Sequence, residues 1–292
     1  IINYMPELPE VEVVKKSLRQ TIYGLKIKGV EIRNKFLRYK IDEKLLKKMK
    51  KSKVLSVSRR SKYILIKLNN SYTILIHLGM TGKIIIEDIN KKKYRTSFYY
   101  KTVDNNTKHD HLILKFSRNI LLIYNDVRKF GFIKIFKTDK INQISHLKKL
   151  GPEPLSKKFN INYVEKKLKR RKIFLKDFLM NQNFVAGLGN IYVNEAIFLS
   201  KINPKLRVNN ISNKKINVII SKIKKILKKA ILEGGSSIKN FNDAKGKKGN
   251  FQQFFNVYGR QGKLCTRLNC RGIIRRTRIS NRSTFFCDIC QK

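Results

Sequence analysis

All four cysteines of the 292-residue chain, Cys265, Cys270, Cys287 and Cys290, fall within its last 28 residues. Their pattern is C-x4-C, sixteen residues, then C-x2-C. A secreted fold stapled by disulfides would distribute its bridges, yet the first 264 residues hold no cysteine. Two thiol pairs flanking a stretch long enough for a β-hairpin can instead each grip one side of a tetrahedral ion. Four protein ligands leave no open position, so the expected ion is one structural zinc. Between residues 256 and 292, nine Lys and Arg face one Asp. Such surroundings favour thiolates and contact with phosphate. The x4 spacing is wider than the usual x2, and the first knuckle is expected to give up metal more readily.

The cationic excess extends beyond this module. The chain has 67 Lys and Arg against 19 Asp and Glu, a net charge of +48. A polyanionic partner follows, nucleic acid before an anionic membrane face. Lysine, isoleucine and asparagine are inflated even on plain surfaces, as AT-rich codon usage would produce, so the scarcer arginines are more informative. Hydrophobic residues make up 41%, which excludes a disordered chain. No apolar run approaches the ~18 residues of a spanning helix. The acidic start, with Pro6 and Pro9, does not read as a signal or transit peptide.

Residues 9–23 are expected to form a helix. Pro9 suits a first turn, Glu7, Glu10 and Glu12 its positive end, and Val11, Val14, Leu18 and Ile22 share one face. Short β-rich runs follow at 26–32, 54–58, 63–68, 72–78, 83–86, 111–116, 120–124 and 132–136, with Asn69-Asn70 as a hairpin turn. Many short strands predict a sandwich or barrel. After Phe136 comes a turn-rich connector at 150–155, then a helical period at 173–180 and 191–199. Ile216, Ile219, Ile220, Ile223, Leu227, Ala230 and Ile231 make an apolar stripe on a lysine-coated helix capped by Ser212. That stripe suits a core, or alternatively a membrane surface. Residues 239–250, with Gly246 and Gly249, read as a mobile loop.

The amino end carries its own chemistry. In Met5-Pro6-Glu7, translation from Met5 followed by methionine removal would leave Pro6 as the terminus. A free α-amine has a pKa near ~8, against ~10.4 for lysine, so a useful fraction is unprotonated at neutral pH. Proline's amine is also secondary. With an aldehyde carbon it gives an iminium, an electron sink that acidifies the neighbouring C–H. Glu7 and Glu10 stand by as acid or base. The other reading is that Pro-Glu simply opens a helix.

The string Met5-Pro6-Glu7-Leu8-Pro9-Glu10-Val11-Glu12 resembles the opening of the formamidopyrimidine-DNA glycosylases, bacterial enzymes that excise 8-oxoguanine and ring-opened purines. The resemblance recurs in order down the chain. Arg59-Arg60-Ser61-Lys62-Tyr63 is similar to the family's strand with a catalytic lysine, and His77-Leu78-Gly79-Met80-Thr81-Gly82 to its HLGM(S/T)G turn. Lys108-His109-Asp110-His111 and Asn125-Asp126-Val127-Arg128-Lys129-Phe130-Gly131 resemble its DNA-facing loops. Leu150 to Leu155 resembles the LGPEPL linker, and Val185 to Tyr192 the helix-two-turn-helix signature. Tyr258-Gly259-Arg260 and Arg282-Ser283-Thr284-Phe285-Phe286-Cys287 bracket the family's zinc finger. Three positions depart from the pattern: the residues before Met5, Val127 in place of a proline, and the x4 knuckle.

The resemblance implies a bifunctional DNA glycosylase and AP lyase. Pro6 would attack C1′ of the damaged nucleotide and Glu7 would move protons as the sugar opens. Lys62 would donate a proton in β-elimination, and Arg282 would do so in δ-elimination while holding phosphate. An extruded base leaves a hole in the duplex, which Met80, Arg128 and Phe130 would fill as wedge, flat cation and aromatic plate. His109, Arg171 and Asn190 would contact the DNA backbone, Asn190 from a helix start. The expected fold is α+β and multidomain. It has a start extension at 1–5, an N-terminal β-sandwich with a leading helix at 6–136 and a linker at 137–155. A helix-two-turn-helix domain with a lesion-covering loop follows at 156–250, and a β-hairpin zinc finger at 256–292. Damaged duplex DNA is the expected partner of a monomer in the bacterial cytoplasm, on the nucleoid, with zinc as the one cofactor and no membrane association. The rivals are an endonuclease VIII-type enzyme for oxidised pyrimidines, disfavoured by Leu8 after Pro6-Glu7, and a catalytically inactive zinc-containing DNA-binding protein.

Overall fold

The computed structural model describes residues 5–97, 107–168, 171–235 and 254–292. The expected extension before Met5 and the loop at 239–250 lie outside them. The chain divides into two compact units, residues 1–148 with 233–250, and residues 149–232 with 251–292.

The first unit opens with α1 (Leu8–Ile22), whose Val11, Val14, Leu18 and Ile22 are all buried. β1 (Ile27–Ile32) and the short α2 (Glu43–Lys47) follow. Two consecutive hairpins then give β2 (Val54–Arg60), β3 (Tyr63–Leu68) and β4 (Tyr72–His77), and β5 (Gly82–Glu87) crosses to the other sheet. β6 (Lys93–Arg95), β7 (Asp110–Phe116), β8 (Leu121–Asp126), β9 (Phe132–Lys137) and α3 (Ser145–Lys148) complete it. The strands form two antiparallel sheets, β1-β7-β8-β5-β6 and β2-β3-β4-β9. One core takes Ile64, Ile66, Ile74 and Ile76 from the second sheet and Ile84, Ile86, Leu112 and Leu122 from the first. The α1 face packs into that same core. Of the sandwich and the barrel that the many short strands allow, this is the sandwich, with the leading helix the family resemblance implies.

Three short elements, α2, α3 and β6, carry too little periodicity to show in the sequence. α2 is five residues long and starts because the Asp42 carboxylate accepts the Leu45 N–H at 2.9 Å. β6 spans three residues, Lys93 to Arg95, all partly exposed.

In the second unit, α4 (Ile161–Leu168), α5 (Leu175–Met180), α6 (Asn190–Leu199) and α7 (Asn213–Leu232) precede the hairpin β10 (Ile274–Ile279) and β11 (Arg282–Cys287). α5 begins two residues later than the apolar pattern suggests. Ile173 and Phe174 are extended because the Ile173 carbonyl accepts from Val208, and the Leu175 N–H donates to Leu206. α7 buries Ile216, Ile219, Ile220, Ile223, Ile226, Leu227 and Ala230, leaving Ile231 half-exposed. It packs on α6 and α4, so its apolar stripe belongs to the core rather than to a membrane surface. No helix among the described residues is long and apolar enough to cross a membrane. The β10–β11 hairpin turns at Ser280-Asn281, with φ of 47° and 60°, the left-handed geometry that two-residue hairpins use.

Candidate active site and metal centre

In the first unit, Pro6 is buried just before α1, and Glu7 is the helix N-cap. The Glu7 N–H donates to Glu10 Oε2 at 2.9 Å, and the Glu7 carboxylate accepts the Glu10 N–H, a reciprocal capping box. Glu7 and Glu10 are 3% and 1% exposed, so two carboxylates are fixed at the positive end of a helix beside a proline.

Arg59 ties this end of the sandwich together. Its Nε donates to Glu12 Oε2 at 2.8 Å, and its Nη1 to the Ser61 carbonyl at 2.8 Å. Burial alone would raise the Glu12 carboxyl, but bonds from Lys15 and Arg59 hold it below its ordinary range. Ser61, with φ of 56°, and Lys62 form the tight turn between β2 and β3. Lys62 therefore sits on a turn rather than within a strand, and it is only 8% exposed. One arginine thus connects α1 to the turn that carries the expected catalytic lysine.

His77, which the sequence offered only as part of a string, lies beside Lys62. Burial, followed by the charges of Lys62, Arg38 and His146, lowers its pKa to about 3. Its Nδ1 accepts the Gly79 N–H at 3.3 Å, and its ring lies 5.1 Å from both Tyr63 and Phe132. At neutral pH it is a neutral imidazole held among aromatic rings.

The three expected wedge residues sit on adjoining turns. A Cβ on Gly79 would come within 2.4 Å of the Gly131 nitrogen, so the turns containing Met80 and Phe130 touch through backbone. Phe130 is 44% exposed and therefore not a core residue. The exposed Arg128 lays its guanidinium 4.5 Å from the centre of the Phe130 ring. Met80 is half-buried. His109 ends a short 3-10 turn before β7, and the next residue, Asp110, accepts from Asn125 Nδ2 at 2.7 Å.

In the second unit, Asn190 is the first residue of α6 and Gly189 its N-cap. The preceding turn is braced by Gln182, which accepts the Gly187 N–H at 2.8 Å and donates to the Leu188 carbonyl at 2.7 Å. Gly187 has φ of 88°, which favours glycine. The Asn190 amide donates to the Ser283 carbonyl at 3.0 Å, beside Arg282. Arg282 is exposed at the hairpin turn. The exposed Arg171 donates Nε to the Lys167 carbonyl at 2.8 Å and lies 4.5 Å over the Phe184 ring. Nothing in the local sequence singles out Lys176 or Glu195. Lys176 is 1% exposed and donates to the Ser283 carbonyl and the Thr284 hydroxyl. The fully buried Glu195 accepts from the Asn256 amide and the backbone of Asn256, Val257 and Tyr258, and burial raises its carboxyl.

The four thiols converge. All Sγ atoms lie within 4.8 Å of one another, with Cys265–Cys290 at 3.8 Å and Cys270–Cys287 at 3.6 Å. A tetrahedron of sulfurs ~2.3 Å from a central ion has edges of ~3.8 Å, so the donor set and its size fit zinc. A Cβ on Gly272 would stand 2.5 Å from Cys287 Sγ, so glycine lets the chain pass behind the cluster. The x4 knuckle has an anchor: Arg267 donates to the Phe198 carbonyl near the end of α6 and lies 4.6 Å over the Phe198 ring.

The chain is similar to known proteins in both sequence and fold. Residues 5–133 match the formamidopyrimidine-DNA glycosylase N-terminal domain, and residues 150–242 match the formamidopyrimidine-DNA glycosylase H2TH domain. The chain is 39% identical over 287 residues to the formamidopyrimidine-DNA glycosylase of Rickettsia conorii, covering 98% of this chain and 99% of the relative. It is 38% identical over 288 residues to that of Rickettsia bellii, covering 99% and 100%. Among solved structures, a mutant Lactococcus lactis Fpg in complex with Fapy-dG-containing DNA superposes with a TM-score of 0.84 at 34% identity, covering 98% of this chain and 100% of that one. The Lactococcus lactis Fpg in complex with abasic-site DNA gives 0.83 at 34% identity, covering 98% and 99%.

Proposed function

The chain belongs to the formamidopyrimidine-DNA glycosylase family, and on that premise we propose how its own residues carry the reaction. It is a base-excision repair enzyme of bacterial type, a DNA glycosylase with AP lyase activity whose partner is duplex DNA containing damaged bases. The Pro6 nitrogen, as a free secondary amine, attacks C1′ of the damaged nucleotide. The electrons of the N-glycosidic bond leave with the base, which takes up a proton. Glu7 moves the proton that opens the sugar ring, leaving an iminium at C1′. Loss of a C2′ proton then expels the 3′ phosphate, and a second elimination expels the 5′ phosphate. Lys62 handles the proton of the first elimination and Arg282 that of the second. His109, Arg171 and Asn190 hold backbone phosphates, and Met80, Arg128 and Phe130 occupy the vacated stack.

The observation that carries this reading is Glu7, an acid only 3% exposed at the positive end of α1 and directly bonded in sequence to Pro6. A plain helix start has no need to bury two carboxylates beside a proline. Cys265, Cys270, Cys287 and Cys290 would hold one zinc, which supplies a rigid cross-link for the hairpin bearing Arg282. Residues 6–136 then form the catalytic domain, 137–155 the linker, 156–250 the helix-two-turn-helix domain and 256–292 the zinc finger. The enzyme works in the cytoplasm, on the nucleoid.

Borohydride trapping tests the proposal. Duplex containing 8-oxoguanine is expected to yield a covalent adduct through Pro6 faster than duplex containing an oxidised pyrimidine. The reverse order would make it an endonuclease VIII-type enzyme. Tight binding with no adduct would make it an inactive DNA-binding protein.

A further inference from the structure

Asp126 is fully buried at the end of β8, and each of its oxygens accepts hydrogen bonds from the turns that carry the wedge. Oδ1 accepts the Thr81 hydroxyl at 2.5 Å and the Arg128 N–H at 3.3 Å. Oδ2 accepts the Gly131 N–H at 2.8 Å and faces the Tyr124 hydroxyl at 3.5 Å. Its carbonyl accepts His111 Nε2 at 2.8 Å and the Lys129 N–H at 3.3 Å. Thr81 closes the circuit, because its hydroxyl oxygen accepts the Arg128 N–H at 3.0 Å.

The covalent order gives this network its meaning. Thr81 follows Met80 directly, and Asp126 precedes Arg128 by two residues and Phe130 by four. The groups that hold the turns therefore lie within one to four residues of the side chains that face solvent. Glycines let the segments close on one another: a Cβ on Gly131 would stand 1.9 Å from the Tyr124 hydroxyl. Lys129, with φ of 55°, takes the left-handed step that sends Arg128 and Phe130 to the same side.

We propose that Asp126 and Thr81 are positioning residues that hold Met80, Arg128 and Phe130 as one preassembled wedge before DNA arrives. This rests on the reading of those three side chains as the groups that fill the vacated stack. Two turns bonded only to water would have to order separately as the base leaves, and that ordering would oppose extrusion. With the Thr81–Asp126 bond made, the three groups enter the duplex together. The bond acts on base extrusion and leaves the subsequent chemistry untouched.

The test uses the otherwise complete protein beginning at Pro6 and an 8-oxoguanine duplex with 2-aminopurine beside the lesion. The fluorescence rise reports unstacking, and borohydride trapping on a single-stranded abasic site reports chemistry without extrusion. Thr81→Val deletes the hydroxyl at nearly constant size. It is expected to slow the fluorescence rise ~10-fold, the size of one lost hydrogen bond to a charged group. Trapping on the single-stranded site should stay at the wild-type rate, and Thr81→Ser should restore unstacking. In an Arg128→Ala background the same Thr81→Val change should have little further effect, since the wedge is already incomplete. Asp126→Asn, followed by thermal melting to confirm folding, should reproduce the unstacking defect. An unchanged fluorescence rise in Thr81→Val, or an equal loss of single-strand trapping, overturns the proposal. If Met80→Ala, Arg128→Ala and Phe130→Ala all unstack the duplex at the wild-type rate, the wedge reading fails and the proposal falls with it. If those three are slow and Thr81→Val is not, only the coupling is wrong.

Discussion

Lys176 Nζ donates to the carbonyl oxygen of Ser283 at 2.8 Å, and the same carbonyl accepts the Asn190 amide at 3.0 Å. Two donors from the helical part of the second unit thus converge on the residue after Arg282. Asp177 grips the other side of the hairpin turn, accepting the Ser280 hydroxyl at 2.7 Å. The arginine that sequence reasoning assigns to phosphate and proton transfer is therefore carried on a turn clamped from both sides.

The clamp should titrate. Burial, only partly offset by Asp177 and reinforced by Arg282, lowers the Lys176 pKa from 10.5 to about 7. Between those values the unfolded chain binds the extra proton and the folded chain does not. Stability from this group is therefore least below pH 7 and rises toward pH 10.5, by up to ~1.4 kcal/mol per pH unit. Lys176→Met should lose that slope, gaining relative to wild type at pH 6 and losing ground at pH 9. Urea unfolding at the two pH values measures it. Parallel wild-type and variant slopes would show that the ammonium stays charged against Ser283 and Thr284.

His77 gives the opposite limb. Its pKa is about 3 in the folded protein, chiefly through burial and then through Lys62, against 6.5 for an ordinary imidazole. As pH falls from 6.5 toward 3, the unfolded state takes up a proton that the folded state refuses. Stability is lost over that window, by at most ~1.4 kcal/mol per pH unit. His77→Gln should flatten the acid limb of the melting temperature between pH 6.5 and 4. An unchanged limb would mean that the ring protonates in place.

The sequence disclosed what depends on period and spacing. The eight longer strands, α1, α6 and α7 were legible because their apolar residues repeat at two or about 3.6. The cysteine cluster was legible because four thiols have few other uses in a chain of this kind. Arg59, Asp126, Lys176 and Glu195 were not legible as supports. Each acts through a partner far away in sequence: Arg59 on Glu12, Asp126 on Thr81, Lys176 on Ser283 and Glu195 on Tyr258. A buried lysine also has no local mark in a chain with 67 Lys and Arg. α2, α3 and β6 were missed because three to five residues hold too few turns or alternations to show a period.

The cysteine cluster should contain one zinc per chain, measured by metal analysis of freshly purified protein. Cys287→Ala or Cys290→Ala should abolish DNA binding while the sandwich keeps its melting transition. Arg267 is the reason to look beyond the x4 spacing, since it fastens that knuckle to the Phe198 carbonyl. Arg267→Ala should speed zinc transfer to a chelator by ~10-fold, the weight of one charge-assisted bond. Equal transfer rates would mean that the knuckle is held by the thiolates alone.

The mechanism stands or falls on the amino end. An amide nitrogen inside Tyr4-Met5-Pro6 has its lone pair delocalised into the carbonyl and cannot attack C1′. The nucleophile therefore exists only in a form that begins at Pro6, where the amine is secondary and has a pKa near ~8. Methionine removal exposes such a terminus readily, because proline is small. Intact mass of the protein from its own cells should show a species starting at Pro6. Two proteins made in parallel, one starting at Pro6 and one retaining residues 1–5, should then differ completely in borohydride trapping on 8-oxoguanine duplex while binding it comparably. Pro6→Gly keeps a primary amine and should retain part of the trapping, whereas N-acetylation of the Pro6 form should abolish it. The buried Glu7 sharpens the comparison: Glu7→Gln, in the Pro6 form, should slow adduct formation on 8-oxoguanine duplex while leaving trapping on a preformed abasic site, because the proton it moves opens a sugar ring that, at an abasic site, equilibrates with its aldehyde unaided. If the form retaining residues 1–5 traps as well as the Pro6 form, a lysine is the nucleophile, and the buried Lys62 becomes the first residue to replace.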